Sequence, residues 1–192
     1  MSRRKGLSVR AVATGAVVGA TSYVLGYLVI YLTQRGSVEE RLQTFNVITD
    51  LFGGDPIPAW QAVGWLFYNT HFVDTEFPGF GGTRTVNFVS EADEGSLTML
   101  YLVPPLLLLV GGLIVSALSR ADSPDLGALT GSFVAIGYLP LAVIGAILFG
   151  YSFGDGTVTP DLITATLLAG IVYPVVFGAL GGAITGILAG SD

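Results

Sequence analysis

Two groups of side chains in this sequence could do chemistry. The first is Trp65, Tyr68, Asn69, His71 and Asp74, gathered in one short segment. His71 is the only histidine, and Asp74 and Glu76 follow it closely. A histidine beside carboxylates can hold zinc or relay protons. This spacing fits no zinc motif, so a solvated or interfacial imidazole is expected. The second group is Tyr23, Tyr138 and Tyr173, with Pro140 and Pro174 beside two of them. A proline inside a helix removes a backbone donor and frees a carbonyl one turn earlier. With tyrosine hydroxyls, such carbonyls can line a midplane polar passage or act as hinges. Hydrogen-bonded packing is the plainer use of the same tyrosines.

Other catalytic signatures are missing. There is no cysteine, which removes thiol catalysis, thiolate metal sites and disulfides. Phe80-Gly81-Gly82-Thr83 is glycine-rich but lacks a P-loop lysine, so it reads as a turn. No serine occupies a G-x-S-x-G elbow. The expectation is therefore a protein that is not an enzyme and uses no cofactor or metal. The few, scattered bases argue against nucleic acid as a partner.

The elements that must position these groups follow from charge. Charged residues make up 11% of the chain, against roughly 25% in soluble domains. Residues 11–33, 97–119, 126–154 and 162–191 hold no Asp, Glu, Lys, Arg or His. Each run reaches the ~20 apolar residues that cross about 30 Å of hydrocarbon. The expected fold class is an all-α membrane protein: four transmembrane helices with an extracellular loop region containing amphipathic, interfacial helices. Most pumps and coupled carriers place an ionisable group in the membrane, and these spans have none.

Arg3, Arg4, Lys5 and Arg10 precede the first run, so the positive-inside rule puts residues 1–10 in the cytoplasm. The first span covers 11–33 and an outer segment covers 34–96. The second span is 97–118, with a cytoplasmic loop at 119–124. The third span is 125–151, followed by an outer loop at 152–159. The fourth is 160–189, leaving residues 190–192 cytoplasmic. The location read from this order is the cell membrane, multi-pass, with both termini inside.

In the outer segment, Ser37-Val38-Glu39-Glu40 is a capping box for an amphipathic helix over about 38–52, ended by Gly53-Gly54. A second, aromatic helix is expected over about 58–72, at headgroup level. It carries no charge from Pro56 to Val73, but Pro56, Pro58, Gln61, Asn69 and His71 would be costly in lipid. A fifth span is rejected on that ground. A short strand is expected within Thr83–Val89, and an acidic run, Glu91, Asp93 and Glu94, ends the segment. Ser123-Pro124-Asp125-Leu126 and Thr159-Pro160-Asp161-Leu162 open the last two spans alike, as shared N-terminal capping chemistry.

Gly170, Gly178, Gly182 and Gly186 form a four-residue ladder, matched by Gly15 and Gly19 in the first span. Glycine at i, i+4 lets helices approach closely in lipid, so the first span is expected to pack on the fourth. The competing use of the ladder is self-association.

The segment Gly64-Trp65-Leu66-Phe67-Tyr68-Asn69-Thr70-His71-Phe72-Val73-Asp74 resembles one from an uncharacterised family of small multi-pass membrane proteins of halophilic archaea. The resemblance implies a cell-membrane location and a high-salt host, and no mechanism. It makes Trp65, Tyr68, Asn69, His71 and Asp74 the candidate outer-face site. The expected function is a non-enzymatic membrane protein whose aromatic outer segment contacts a partner. The partners expected are the lipid bilayer, a membrane or cell-surface protein, or a second copy. The alternative is a small-solute transporter or channel built on the proline-kinked second to fourth spans.

Overall fold

A computed structural model describes residues 9–51, 55–79, 81–92, 97–153 and 156–190. Arg3, Arg4, Lys5, Gly53, Gly54, Asp93, Glu94 and Asp155, on which parts of the topology and loop reading rest, lie outside them. The chain is mostly helical, and four of its helices are long and apolar enough to cross a membrane: Val9–Val47, Thr98–Leu118, Pro124–Leu148 and Leu162–Ala189.

Helix α1 runs unbroken over Val9–Leu51. The expected stop after residue 33 and restart at the Ser37 capping box are therefore corrected. Only Gly36 weakens this stretch, and a lone glycine costs about 1 kcal/mol in a helix, too little to break one. Arg35 Nε donates to Glu39 Oε1 at 2.7 Å across the junction, an i, i+4 pair of a continuous helix. Helix α2 is Ala59–Asn69, shorter than the expected 58–72. It ends where Val73 N–H reaches back to Tyr68 O and Phe72 N–H to Asn69 O, a Schellman turn. The position that normally takes glycine is Phe72, at φ 58°.

The outer loops are not all-α. β1 (Thr75–Gly79) and β2 (Gly82–Val86) form an antiparallel hairpin. Its turn needs the positive φ of Gly81 (94°) and Gly82 (146°), which glycine alone adopts readily. β3 (Tyr151–Phe153) and β4 (Gly156–Pro160) form a second hairpin, and the sheet order is β2-β1-β4-β3. A strand was expected only within Thr83–Val89. The pairing that orders the sheet joins Thr75 to Pro160 and Glu76 to Thr159, far apart in sequence.

A 3₁₀ turn over Thr98–Leu102 leads into α3 (Val103–Leu118), so Pro104 and Pro105 occupy its first turn, where proline is tolerated. The third apolar stretch is α4 (Pro124–Gly131) and α5 (Val134–Leu148), interrupted at Ser132-Phe133. The break precedes Pro140, which lies within α5. In the fourth stretch, α6 (Leu162–Thr164) passes into a π-helical segment, Ala165–Val172, and then α7 (Tyr173–Ala189). The wider winding just before Pro174 accommodates its ring and its missing donor. Here the cap is Asp161, whose carboxylate accepts from Thr164 N at 2.6 Å; Pro160 ends β4 instead of starting a helix.

The contacts divide into two units. One comprises residues 1–24, 104–141 and 170–192. Its interior is glycine against backbone. A Cβ on Gly182 would strike the Gly127 carbonyl, one on Gly131 the Gly178 carbonyl, and one on Gly186 the Ser123 carbonyl. On the α1 side, a Cβ on Gly15 would strike Phe133 and one on Gly19 the Val134 carbonyl. Both glycine ridges thus meet the third apolar stretch. The expected direct match of first span to fourth is corrected: Gly127, Gly131 and Gly137 supply the complementary small positions between them. Ser116 Oγ donates to Gly182 O at 3.1 Å and Thr185 Oγ1 to Leu113 O at 3.3 Å, tying α3 to α7. Gly170 is buried in the π-helical segment. The other unit comprises residues 25–103 and 142–169 and holds α2 and the sheet.

Candidate functional site

Of the candidate outer-face residues, Trp65 is 3% exposed, and Tyr68, Asn69 and His71 are fully buried. The expectation of an exposed aromatic site is corrected. α2 is part of the core of its unit, and its polar side chains bond backbone carbonyls within and just past α5. The last carbonyls of a helix have no internal partner. Trp65 Nε1 donates to Phe149 O at 2.7 Å and Gln61 Nε2 to Gly150 O at 2.7 Å, just past the end of α5. The Tyr68 hydroxyl donates to Ala142 O. Gly64 leaves room for the Phe149 ring, which also stacks on Tyr27 with centroids 5.2 Å apart.

Asn69 fastens three segments. Its Nδ2 donates to Val73 O at 2.8 Å, and its Oδ1 accepts from Phe88 N at 2.9 Å. His71 Nδ1 lies 3.0 Å from Phe67 O, so Nδ1 carries the proton and donates. Burial pushes the imidazole down to about 4, against a smaller opposing effect of that hydrogen bond. The ring is neutral at pH 7. Asp74 is half-buried; its Oδ1 accepts from Asn87 Nδ2 at 3.3 Å, and its carbonyl accepts from Asp161 N at 3.0 Å. These five residues come together as a structural knot.

Two further knots escaped the sequence reading. Asn46 clamps Ile57 with both amide groups, at 2.9 and 3.2 Å. Asn87 Oδ1 accepts from Val89 N and Ser90 N and from the Tyr101 hydroxyl. Asn87, an asparagine in a loop, offered a weak local signal, and Asn46, inside α1, offered none. Phe72, strained at positive φ and 56% exposed, lies flat on Tyr101 with centroids 4.4 Å apart.

Among the midplane candidates, Tyr23 and Tyr138 are buried and meet edge to face at 5.2 Å. Tyr173 packs beside Phe177 at 5.3 Å.

One opening on the second unit is a cavity of about 850 Å³ between α1, α2 and the β1–β2 hairpin. Arg41, Arg84, Glu91, Trp65, Phe77 and Phe88 are among its lining residues. Sequence reasoning singled out only Trp65 of these as a site residue. Arg41 and Arg84 sit on different elements and converge only through the fold.

Small residues fill the helix contacts of the first unit, while large apolar side chains face outward: Leu118 is 68% exposed, and Leu106, Ile136 and Ile187 are exposed too. That inverts a soluble surface and matches helices packed in lipid. The fold therefore defines a class, that of helical proteins whose four long apolar helices are compatible with a membrane location. Within it, the chain belongs to a family of unknown function (DUF7978), which matches residues 1–189. No curated protein and no solved structure matches the chain.

Proposed function

We propose that this is a non-enzymatic, multi-pass membrane protein that holds a ligand-recognition unit on the outer side of the cell membrane. Both termini are cytoplasmic, with the bases at Arg10 and Arg120 on the inner side. The carrying observation is the cavity of about 850 Å³, within the range of roughly 300–1,000 Å³ usual for small-molecule sites. Its floor is rigid, because α2 is tied to the end of α5 by Gln61, Trp65 and Tyr68. The acid-rich, lysine-poor composition suits work in high salt.

The transporter alternative gains no comparable support. It calls for tyrosines lining an open path, and Tyr138 is instead packed against Tyr23. The test is native mass spectrometry of the full chain released from its own membranes in mild detergent. The wild type should retain a small molecule that Val38→Trp, which fills the cavity, loses while keeping its helical circular dichroism. If the wild type carries nothing that the filled variant lacks, the unit is structural and the reading fails.

A further inference from the structure

We infer that this cavity takes an anionic amphiphile: a phosphate or carboxylate head joined to an apolar chain. The inference rests on the recognition role proposed above. Residues 34–96 carry three bases, Arg35, Arg41 and Arg84. Arg35 is engaged by Glu39 at 2.7 Å. Arg41 and Arg84 both line the cavity, and neither has an ion-pair partner among the described residues. In a chain of net charge −6, the free bases of this segment are thus gathered on one concavity. Guanidinium forks match the oxygens of carboxylates and phosphates.

Among the described lining residues Glu91 is the acid, so two arginines face one glutamate and the balance there is positive, suited to an anionic head. The other walls are apolar, with Leu42, Leu66, Phe77, Phe88 and Leu97. A small free anion would leave those walls unused, and a neutral hydrophobe would make no use of the two guanidiniums. Gln34 and Leu97, which also line the cavity, stand at the outer ends of the first two apolar runs. In the proposed topology that is headgroup depth, where an amphiphile concentrates.

The chain has two tryptophans, so Trp60→Phe leaves Trp65, in the cavity wall, as the sole fluorophore. This variant of the full chain, in phosphatidylcholine nanodiscs, is titrated with dodecyl phosphate, dodecyltrimethylammonium and inorganic phosphate. Dodecyl phosphate alone should give a saturable change in Trp65 emission. Arg41→Gln and Arg84→Gln should each weaken it about tenfold or more, with circular dichroism unchanged.

An equal response to dodecyltrimethylammonium, or unaltered binding in both glutamine variants, overturns the anionic assignment and leaves a recognition cavity in place. No saturable response to either amphiphile overturns both readings. Nanodiscs containing phosphatidylglycerol separate the sources. If they shift Trp65 emission and abolish the dodecyl phosphate titration, the ligand is a bilayer lipid. If the titration survives in full, it is a soluble amphiphile.

Discussion

His71 lies fully buried with a neutral ring donating to Phe67 O, and protonating it there means burying a charge. Its folded value of about 4 is below the ordinary 6.5. Between those values the unfolded chain binds the extra proton, so stability is complete above pH 6.5 and declines as pH falls toward 4. The loss is of order 3 kcal/mol by pH 4. Thermal unfolding in detergent should therefore fall more steeply over pH 6.5–5 for the wild type than for His71→Gln; equal slopes would refute the buried neutral imidazole. At this scale the sequence was informative about which residues are unusual and misleading about why. Trp65, Tyr68, Asn69 and His71 stand out by type. Trp65 and Tyr68 find their partners, Phe149 and Ala142, in another apolar stretch, and no local pattern announces them. Asn69 and His71 bond backbone nearer by, at Val73, Phe88 and Phe67. Read locally, polar tips on an aromatic helix look like headgroup anchors. In the fold they are spent on backbone groups of the same unit.

Two glycines separate the forces acting on elements. Gly36 sits in the middle of α1 with open space where a Cβ would go, so it contributes only backbone entropy. Gly36→Ala should stabilise the protein by about 0.5–1 kcal/mol in denaturant titrations. Gly182 faces the Gly127 carbonyl and the Gly131 backbone. Gly182→Leu should cost about 3 kcal/mol or more and give a polydisperse preparation by size exclusion, because backbone has no room to yield. A tolerated Gly182→Leu would contradict the close α4–α7 contact. The four apolar stretches were legible because hydropathy over ~20 residues is a strong signal. The glycine ridges were legible as contact surfaces, but spacing does not name a partner, and the third stretch lies between them. The continuity of α1 was obscured by Ser37 and Glu40, whose spacing imitates a capping box. The sheet was largely hidden because β1 and β4 find one another only in the folded chain.

At the scale of the whole molecule, the long helices turn large apolar side chains outward, and the cavity of the second unit gathers Arg41 and Arg84. Membrane-compatible helices could be read from composition, since the energetic demand of lipid is written in every residue of a span. The cavity could not, because it depends on three elements meeting. Its proposed role requires residues 34–96 to face outward and residues 119–124 to face the cytoplasm. The absence of native cysteine makes that directly measurable. Single cysteines at Ser90 and at Asp122, both in loops, are exposed to a membrane-impermeant maleimide in intact cells and again after permeabilisation. Ser90→Cys should label in intact cells and Asp122→Cys only after permeabilisation. Labelling in the reverse order, or of both before permeabilisation, would contradict an outward-facing recognition unit.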